Sequence, residues 1–156
     1  MTRQQFIEQV KGTQAGFRRF LTALCCGDTQ SADDLAQEAY IRAYLAFGKG
    51  DRPDNFKAWL YRIGYNLFLN CQRSEKLSVD PASLLGIAAE QRADDTFRYQ
   101  HLYTALDSLP PKERMSVLLY YMEGYSTKEI AAITETTDEA VRQHLARGRR
   151  HLRNLL

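Results

Sequence analysis

Apolar residues recur along this chain at spacings of three and four, and nowhere in strict alternation, so the pattern predicts helices throughout. Over residues 3–24 the stripe is Phe6, Val10, Thr13, Phe17, Leu21 and Leu24. Thr2 followed by Gln5 fits a capping box at its start. Gly27-Asp28 marks a turn. Ser31 followed by Asp34 fits a second cap, ahead of a helix over 32–47 with Leu35, Ala39, Ala43 and Phe47 on one face. GKGDRPDN, 48–55, reads as a loop by its Gly, Pro and Asp content. A third helix is predicted over 55–73, with Phe56, Leu60, Ile63, Leu67 and Cys71 buried.

The periodicity stops at SEKLSVDPASLLGIAAEQRA, 74–93, which reads as a linker with at most a short helical piece. It resumes near Asp94. Leu102, Ala105, Leu106 and Leu109 suit a helix stopped by Pro110-Pro111. Pro111 can open the next helix, with Met115, Leu118, Leu119 and Met122 inward and Gly124 at its C′ position. Ser126 to Glu129 is another capping box, opening a short helix through Ile133. Thr137 caps a last helix lined by Val141, Leu145, Gly148, Leu152 and Leu155. The fold class is therefore all-α: two small helical domains, 1–75 and 94–156, joined by a linker, 76–93.

Composition adds limits. Of the 156 residues, 44% are hydrophobic and 26% charged, as in packed globular proteins. No apolar run approaches the length of a membrane span, and MTRQQFIEQVKG lacks an apolar signal core, so neither membrane insertion nor secretion is expected. Cys25, Cys26 and Cys71 form no metal pattern and suit a reducing, cytoplasmic setting. No phosphate-cradling loop, HExxH or GxSxG is present, so no catalytic residue, metal or cofactor is expected, and the chain reads as a non-enzyme. His101, His144 and His151 are scattered.

The net charge of +2 says little, but its distribution says more. Residues 140–156 hold five arginines and no acid. A short capped helix, a brief turn and a basic helix describe a helix-turn-helix, whose second helix lies in the major groove. The apolar stripe leaves Arg142, Gln143, His144, Arg147 and Arg150 outward. Arginine reads guanine edges or grips phosphate, and glutamine can pair with adenine. A solvated basic face is the plainer alternative.

Two further faces carry less specific signals. On the third helix Arg62, Asn66, Asn70 and Arg73 share an exposed side, flanked by Tyr61 and Tyr65. Rings with amides and arginines suit unstacked bases. Composition alone favours the plainer reading, in which the tyrosines cover the domain surface and the asparagines are solvated. On the second helix Asp34, Glu38 and Arg42 are spaced by four, which physical chemistry alone reads as an ordinary salt-bridged surface; the functional reading is an acidic docking face for a basic protein.

Together, SADDLAQEAYIRAY (31–44), FKAWLYRIGYNLFLN (56–70), LPPKERMSVLLYYMEGYSTKEIAAIT (109–134) and AVRQHLARGRRHLRNLL (140–156) resemble bacterial RNA polymerase sigma factors of the extracytoplasmic-function (ECF) type, in the sigma-70 family. The likeness covers nearly the whole chain in order. It implies that 1–75 corresponds to region 2, a helical bundle, and 94–156 to region 4, the helix-turn-helix. It further implies an alternative sigma factor that binds core RNA polymerase and directs it to promoter DNA, works as a monomer, and is held by an anti-sigma factor. Carried over by position, Asp34, Leu35, Gln37, Glu38 and Arg42 match the polymerase-docking stretch. The loop 48–55 and the face with Arg62, Tyr65, Asn66, Asn70 and Arg73 match the parts that open the minus-ten element. Arg142, Gln143, Ala146 and Arg147 match the minus-thirty-five contacts, with His144 and Arg150 beside them. Gln143-His144 replace a frequent Ser-Arg pair, so the promoter sequence does not carry over. The competing reading is a conventional helix-turn-helix regulator, which would bind a palindromic duplex as a dimer without polymerase.

Overall fold

The computed structural model describes residues 1–78 and 96–155, and the side chains of 1–73 and 99–155. The described residues form seven helices and no strand: α1 Arg3–Leu24, α2 Thr29–Gly48, α3 Phe56–Ser78, α4 Thr96–Asp107, α5 Pro111–Tyr121, α6 Thr127–Thr134 and α7 Asp138–Leu155. The core of the expected linker, 79–93, lies outside the described residues. Its first residues do not break the helix, because α3 runs through Ser78.

Helices α1, α2 and α3 form one bundle. Thr2 and Gln5 exchange the two capping bonds, at 2.8 and 3.2 Å. The α1 terminus is a Schellman turn: Gly27 N–H reaches Thr22 O at 2.8 Å and Cys26 N–H reaches Ala23 O at 3.0 Å. Cys26 holds the left-handed position, φ 55°, that glycine usually takes. The cap of α2 is Asp28, not Ser31: its carboxylate accepts from Ser31 N–H at 3.1 Å and Ser31 Oγ at 2.7 Å. The aspartate reaches the third amide of the helix and starts it one turn before the apolar stripe.

The buried face of α2 is almost all alanine (Ala32, Ala36, Ala39, Ala43), which lets its neighbours approach closely. Phe17 and Phe20 of α1 pack on Tyr61 of α3, with ring centres 5.1 and 4.8 Å apart. Gly64 makes that crossing possible, since a Cβ there would sit 2.9 Å from Phe17 Cζ. Each fully buried Phe or Leu in this core contributes about 2 kcal/mol.

Helices α4 to α7 form the second bundle. Met115, Leu119, Ile130 and Val141 are fully buried at its centre. Leu102, Met122 and Leu155, expected inward, are exposed, because the neighbouring helices leave those rims of the bundle open. The two bundles are packed together: α1 meets α5 and α3 meets α6. Their apolar residues merge into one continuous core.

Among the described residues no disulfide joins Cys25, Cys26 and Cys71. Burial, with Asp28 beside it, pushes the Cys25 thiol up to about 12, so it is a poor nucleophile. Cys71, expected in the core stripe, is exposed and lines an open cleft.

Candidate nucleic-acid and polymerase interfaces

The helix-turn-helix is built from local caps. Ser126 and Glu129 exchange capping bonds of 3.2 and 3.1 Å at the start of α6. The helix ends at Glu135, in the left-handed conformation at φ 56°, and Thr136 N–H returns to Ala131 O at 3.0 Å. Thr137 Oγ1 then accepts from Ala140 N–H at 3.1 Å and starts α7. The turn between α6 and α7 is thus residues 135–137, the length this motif uses. Val141, Leu145 and Gly148 face inward, and Gly148 sits so close to α5 that a Cβ would lie 2.7 Å from Val117 Cγ2.

That packing fixes the outward set. Arg142, Gln143, Ala146, Arg147 and Arg150 are exposed, as the sequence pattern expects. Arg142 holds Asp138 at 2.7 Å within the helix. His144 is half-buried. Burial, with Lys112 and Arg147 nearby, lowers its pKa. Arg149 plays another part: its Nε donates to Tyr121 Oη at 2.6 Å, and the guanidinium lies over the Tyr120 and Tyr121 rings. It clamps α7 to the end of α5.

On α3, Arg62, Asn66, Asn70 and Arg73 are exposed and share one face. Tyr65 is not on that face, which corrects the sequence expectation. It is 3% exposed, and burial raises its hydroxyl pKa. Tyr61 is likewise buried, against Phe17 and Phe20. The reason is that α3 packs against α1 and α2 on one side and α6 on another, so its buried arc is wider than one stripe. Arg62 pairs with Glu135 of the second bundle, Nε to Oε1 at 2.6 Å. The loop before α3 is braced by Arg52, which donates to Phe47 O at 2.9 Å and Asp51 O at 2.8 Å and covers the Phe47 ring. Asn55 caps α3 through Ala58 N–H at 3.1 Å.

On α2, Asp34, Gln37, Glu38 and Arg42 are exposed, and Arg42 Nε donates to Glu38 Oε1 at 3.1 Å. Leu35, grouped with them by resemblance, is 6% exposed and belongs to the core, so it supports the face from below rather than presenting itself. Sequence reasoning missed Ile41, Tyr44 and Leu45, which are 54, 49 and 57% exposed. Ile41 and Leu45 continue the Asp34–Glu38 row at helical spacing, and that continuation was the available signal. With Phe6, Ile7 and Val10 of α1, these three residues line an apolar groove of about 540 Å³. No cluster of His, Cys, Asp or Glu that could hold a metal occurs among the described residues, and no described helix is long and apolar enough to cross a membrane.

The described residues thus form a helical bundle with an acid-and-apolar outer face, packed on a helix-turn-helix with an arginine face. Sigma-70 region 2 matches residues 10–77 and sigma-70 region 4 matches residues 99–152. The ECF RNA polymerase sigma factor SigW of Bacillus subtilis is 31% identical over 145 residues, covering 83% of this chain and 78% of the relative. The ECF RNA polymerase sigma factor SigE of Mycolicibacterium smegmatis is 36% identical over 138 residues, covering 83% of this chain and 53% of the relative. The chain belongs to the sigma-70 family, among its ECF members. It spans about half of SigE's length and 35% of the length of the sigma factor RfaY of Xanthomonas campestris. The fold is that of a solved sigma factor, RpoE of Bartonella quintana in complex with the anti-sigma factor NepR: TM-score 0.76 at 21% identity, over 97% of this chain and 96% of that one.

Proposed function

We infer that this chain is an alternative sigma factor, the subunit that brings core RNA polymerase to particular promoters. Residues 1–75 dock on the polymerase through the α2 face (Asp34, Gln37, Glu38, Arg42) and open the minus-ten element with Arg62, Asn66, Asn70 and Arg73. Residues 94–156 read the minus-thirty-five element with Arg142, Gln143, His144, Ala146, Arg147 and Arg150. The chain does no chemistry of its own, since bond formation belongs to the polymerase, and it acts in the cytoplasm. An anti-sigma factor is the expected inhibitor.

One observation carries this reading best. A helix-turn-helix with an outward arginine face is packed on a separate bundle whose exposed row mixes Asp34 and Glu38 with Ile41 and Leu45. Acid repels phosphate, so this row suits a protein partner rather than DNA. A polymerase subunit needs such a row.

The test is transcription by purified core polymerase with this chain on a promoter library. Initiation from a defined subset supports the reading and returns the promoter sequence. Tight dimeric binding to a palindromic duplex, with no initiation, would replace it with the conventional regulator.

A further inference from the structure

The cleft beside the α2 row holds two thiols. It has a volume of about 310 Å³ and is lined by Cys25 at the end of α1, Asp28, Asp34 and Glu38 along the start of α2, Cys71 on α3 and Arg114 on α5. Cys26 does not line it: that residue is 9% exposed, with its Sγ 3.9 Å from Leu24 O.

The two thiols are not alike. Cys71 is exposed, so a small oxidant reaches it from solvent, whereas Cys25 is half-buried. Burial and Asp28 push the Cys25 thiol up to about 12; Cys71 adds to the rise and Arg114 opposes it. A thiol feels its neighbour in this way only when the two sulfurs are close, since charges further apart than about 10 Å are screened.

Cys25 also sits on a structural joint. Its carbonyl accepts from Asp28 N–H at 3.2 Å, and Asp28 caps α2 through Ser31 N–H and Ser31 Oγ. Asp34 and Glu38 stand further along the same helix. A force that draws Cys25 towards α3 therefore pulls on the cap of the helix that carries the docking row.

We propose that Cys25 and Cys71 are a peroxide-responsive thiol pair, joined by oxidation into a disulfide across this cleft, and that the bridge weakens docking of the α2 row. The docking half rests on the sigma-factor reading above, and the thiol chemistry does not. Hydrogen peroxide is the oxidant. The Cys71 thiolate attacks one peroxide oxygen, the O–O bond breaks, and the departing hydroxide takes a proton and leaves as water. Cys71 is then a sulfenic acid, oxidised by two electrons. The Cys25 sulfur attacks the Cys71 sulfur and the S–S bond forms. The Cys25 proton and the sulfenic hydroxide leave as a second water. Two thiols and one peroxide thus give one disulfide and two waters. A protonated Cys25 is slow against an oxidant in solution, but against a sulfenic acid in the same cleft it acts at high effective concentration. The bridge holds two Cα atoms about 5.5–6 Å apart, which fixes the Cys25–Asp28 turn to α3.

The experiment treats the reduced full chain with hydrogen peroxide, then removes the peroxide by gel filtration. Thiols are counted after unfolding, and tryptic peptides are mapped without reduction. The count is expected to fall from three to one. Peptide 20–42, which holds Cys25 and Cys26, should be linked to peptide 63–73, which holds Cys71, and dithiothreitol should separate them. C26S should still form the link. C71S, changed at an exposed site where the fold is kept, should not. C25S should stop at a Cys71 sulfenic acid that dimedone traps. An unchanged thiol count, a bridge only between separate chains, a link that persists in C25S, or Cys71 driven to sulfinic acid without a bridge would each overturn the pair. Core polymerase is then titrated with the bridged and the reduced chain. The bridged form is expected to bind about fivefold more weakly, the scale of one lost helix cap, and dithiothreitol should restore it. Equal binding by the two forms would overturn the docking half. A reduced chain that does not bind polymerase at all would count against the sigma-factor reading and the docking half with it, while the peptide map would still decide the thiol pair.

Discussion

Arg114 Nη1 lies 2.9 Å from Leu24 O, ninety residues away in sequence, and joins the weak Cys26 Sγ donor, 3.9 Å away, at the end of α1. Its partners are carbonyls, with Asp107 as a distant carboxylate at 3.9 Å on an exposed side chain. The stabilisation therefore comes from hydrogen bonds to fixed dipoles rather than from an ion pair. R114M keeps the volume but removes the hydrogen bonds to four carbonyls, of which Leu106 O keeps Leu109 N–H at 3.1 Å, at a cost of about 3 kcal/mol. R114K keeps the charge and loses the fork, so it should fall between. Urea unfolding checks this. The single cooperative transition expected of the wild type should split in R114M, as the two bundles lose their shared contact.

Gly148 is where α7 meets α5. The atom in its way, Val117 Cγ2, belongs to a β-branched side chain with little rotamer freedom, and Glu113 O lies 3.7 Å from the same point. G148A should therefore destabilise by about 1–3 kcal/mol, although alanine is the better helix former. Thermal unfolding would show it, and G12A on the exposed, open part of α1 should move the midpoint up or not at all.

Much of the local structure was readable because it is written in short-range signals. Thr2/Gln5, Ser126/Glu129 and Thr137 place three helix starts through bonds made within four residues. The misplacements have one physical origin: periodicity says that a face is covered, but not by how many neighbours. Tyr65 was read as exposed because α3 was given one partner, whereas it has three. Cys71 was read as buried because the stripe was continued past the point where it opens onto a cleft. Leu35 was drawn outward by its neighbours in the docking motif, although its spacing to Ala39 and Ala43 placed it in the core. The contact between Arg114 and Leu24 O was not legible at all. Arg114 reads as an ordinary surface arginine until Leu24 is brought beside it.

His144 gives the arginine face a pH response. Burial, with Lys112 and Arg147 close by and Glu113 opposing them, puts its pKa in the folded chain below the usual 6.5. The unfolded chain then binds a proton first as pH falls. This contribution to stability is complete above pH 6.5 and is lost as pH drops through the folded value. Phosphate near the ring favours the charged form, so duplex affinity should rise over the same interval. An NMR titration of the imidazole should give a midpoint below 6.5 in the free chain and a higher one with a promoter duplex bound. H144Q should flatten the pH dependence of duplex binding, and a midpoint at or above 6.5 in the free chain would contradict the prediction.

Arg147 and Arg149 are close on the same helix but should fail differently when removed. Arg147 is exposed on the row with Arg142, Gln143 and Ala146, free to enter a groove. Arg149 is spent on Tyr121 Oη and two tyrosine rings. R147A should weaken minus-thirty-five recognition by about 1–3 kcal/mol if it reads a base edge, with little change in unfolding. R149A should lower the stability of the second bundle by about 1 kcal/mol, the scale of an exposed cation over a ring. It should leave promoter choice intact. Promoter-library transcription with core polymerase, run beside thermal unfolding, separates the two. Equal loss of promoter selectivity in both variants would mean that the arginine face is a general phosphate grip. Sequence reading would then fall to Gln143 and His144.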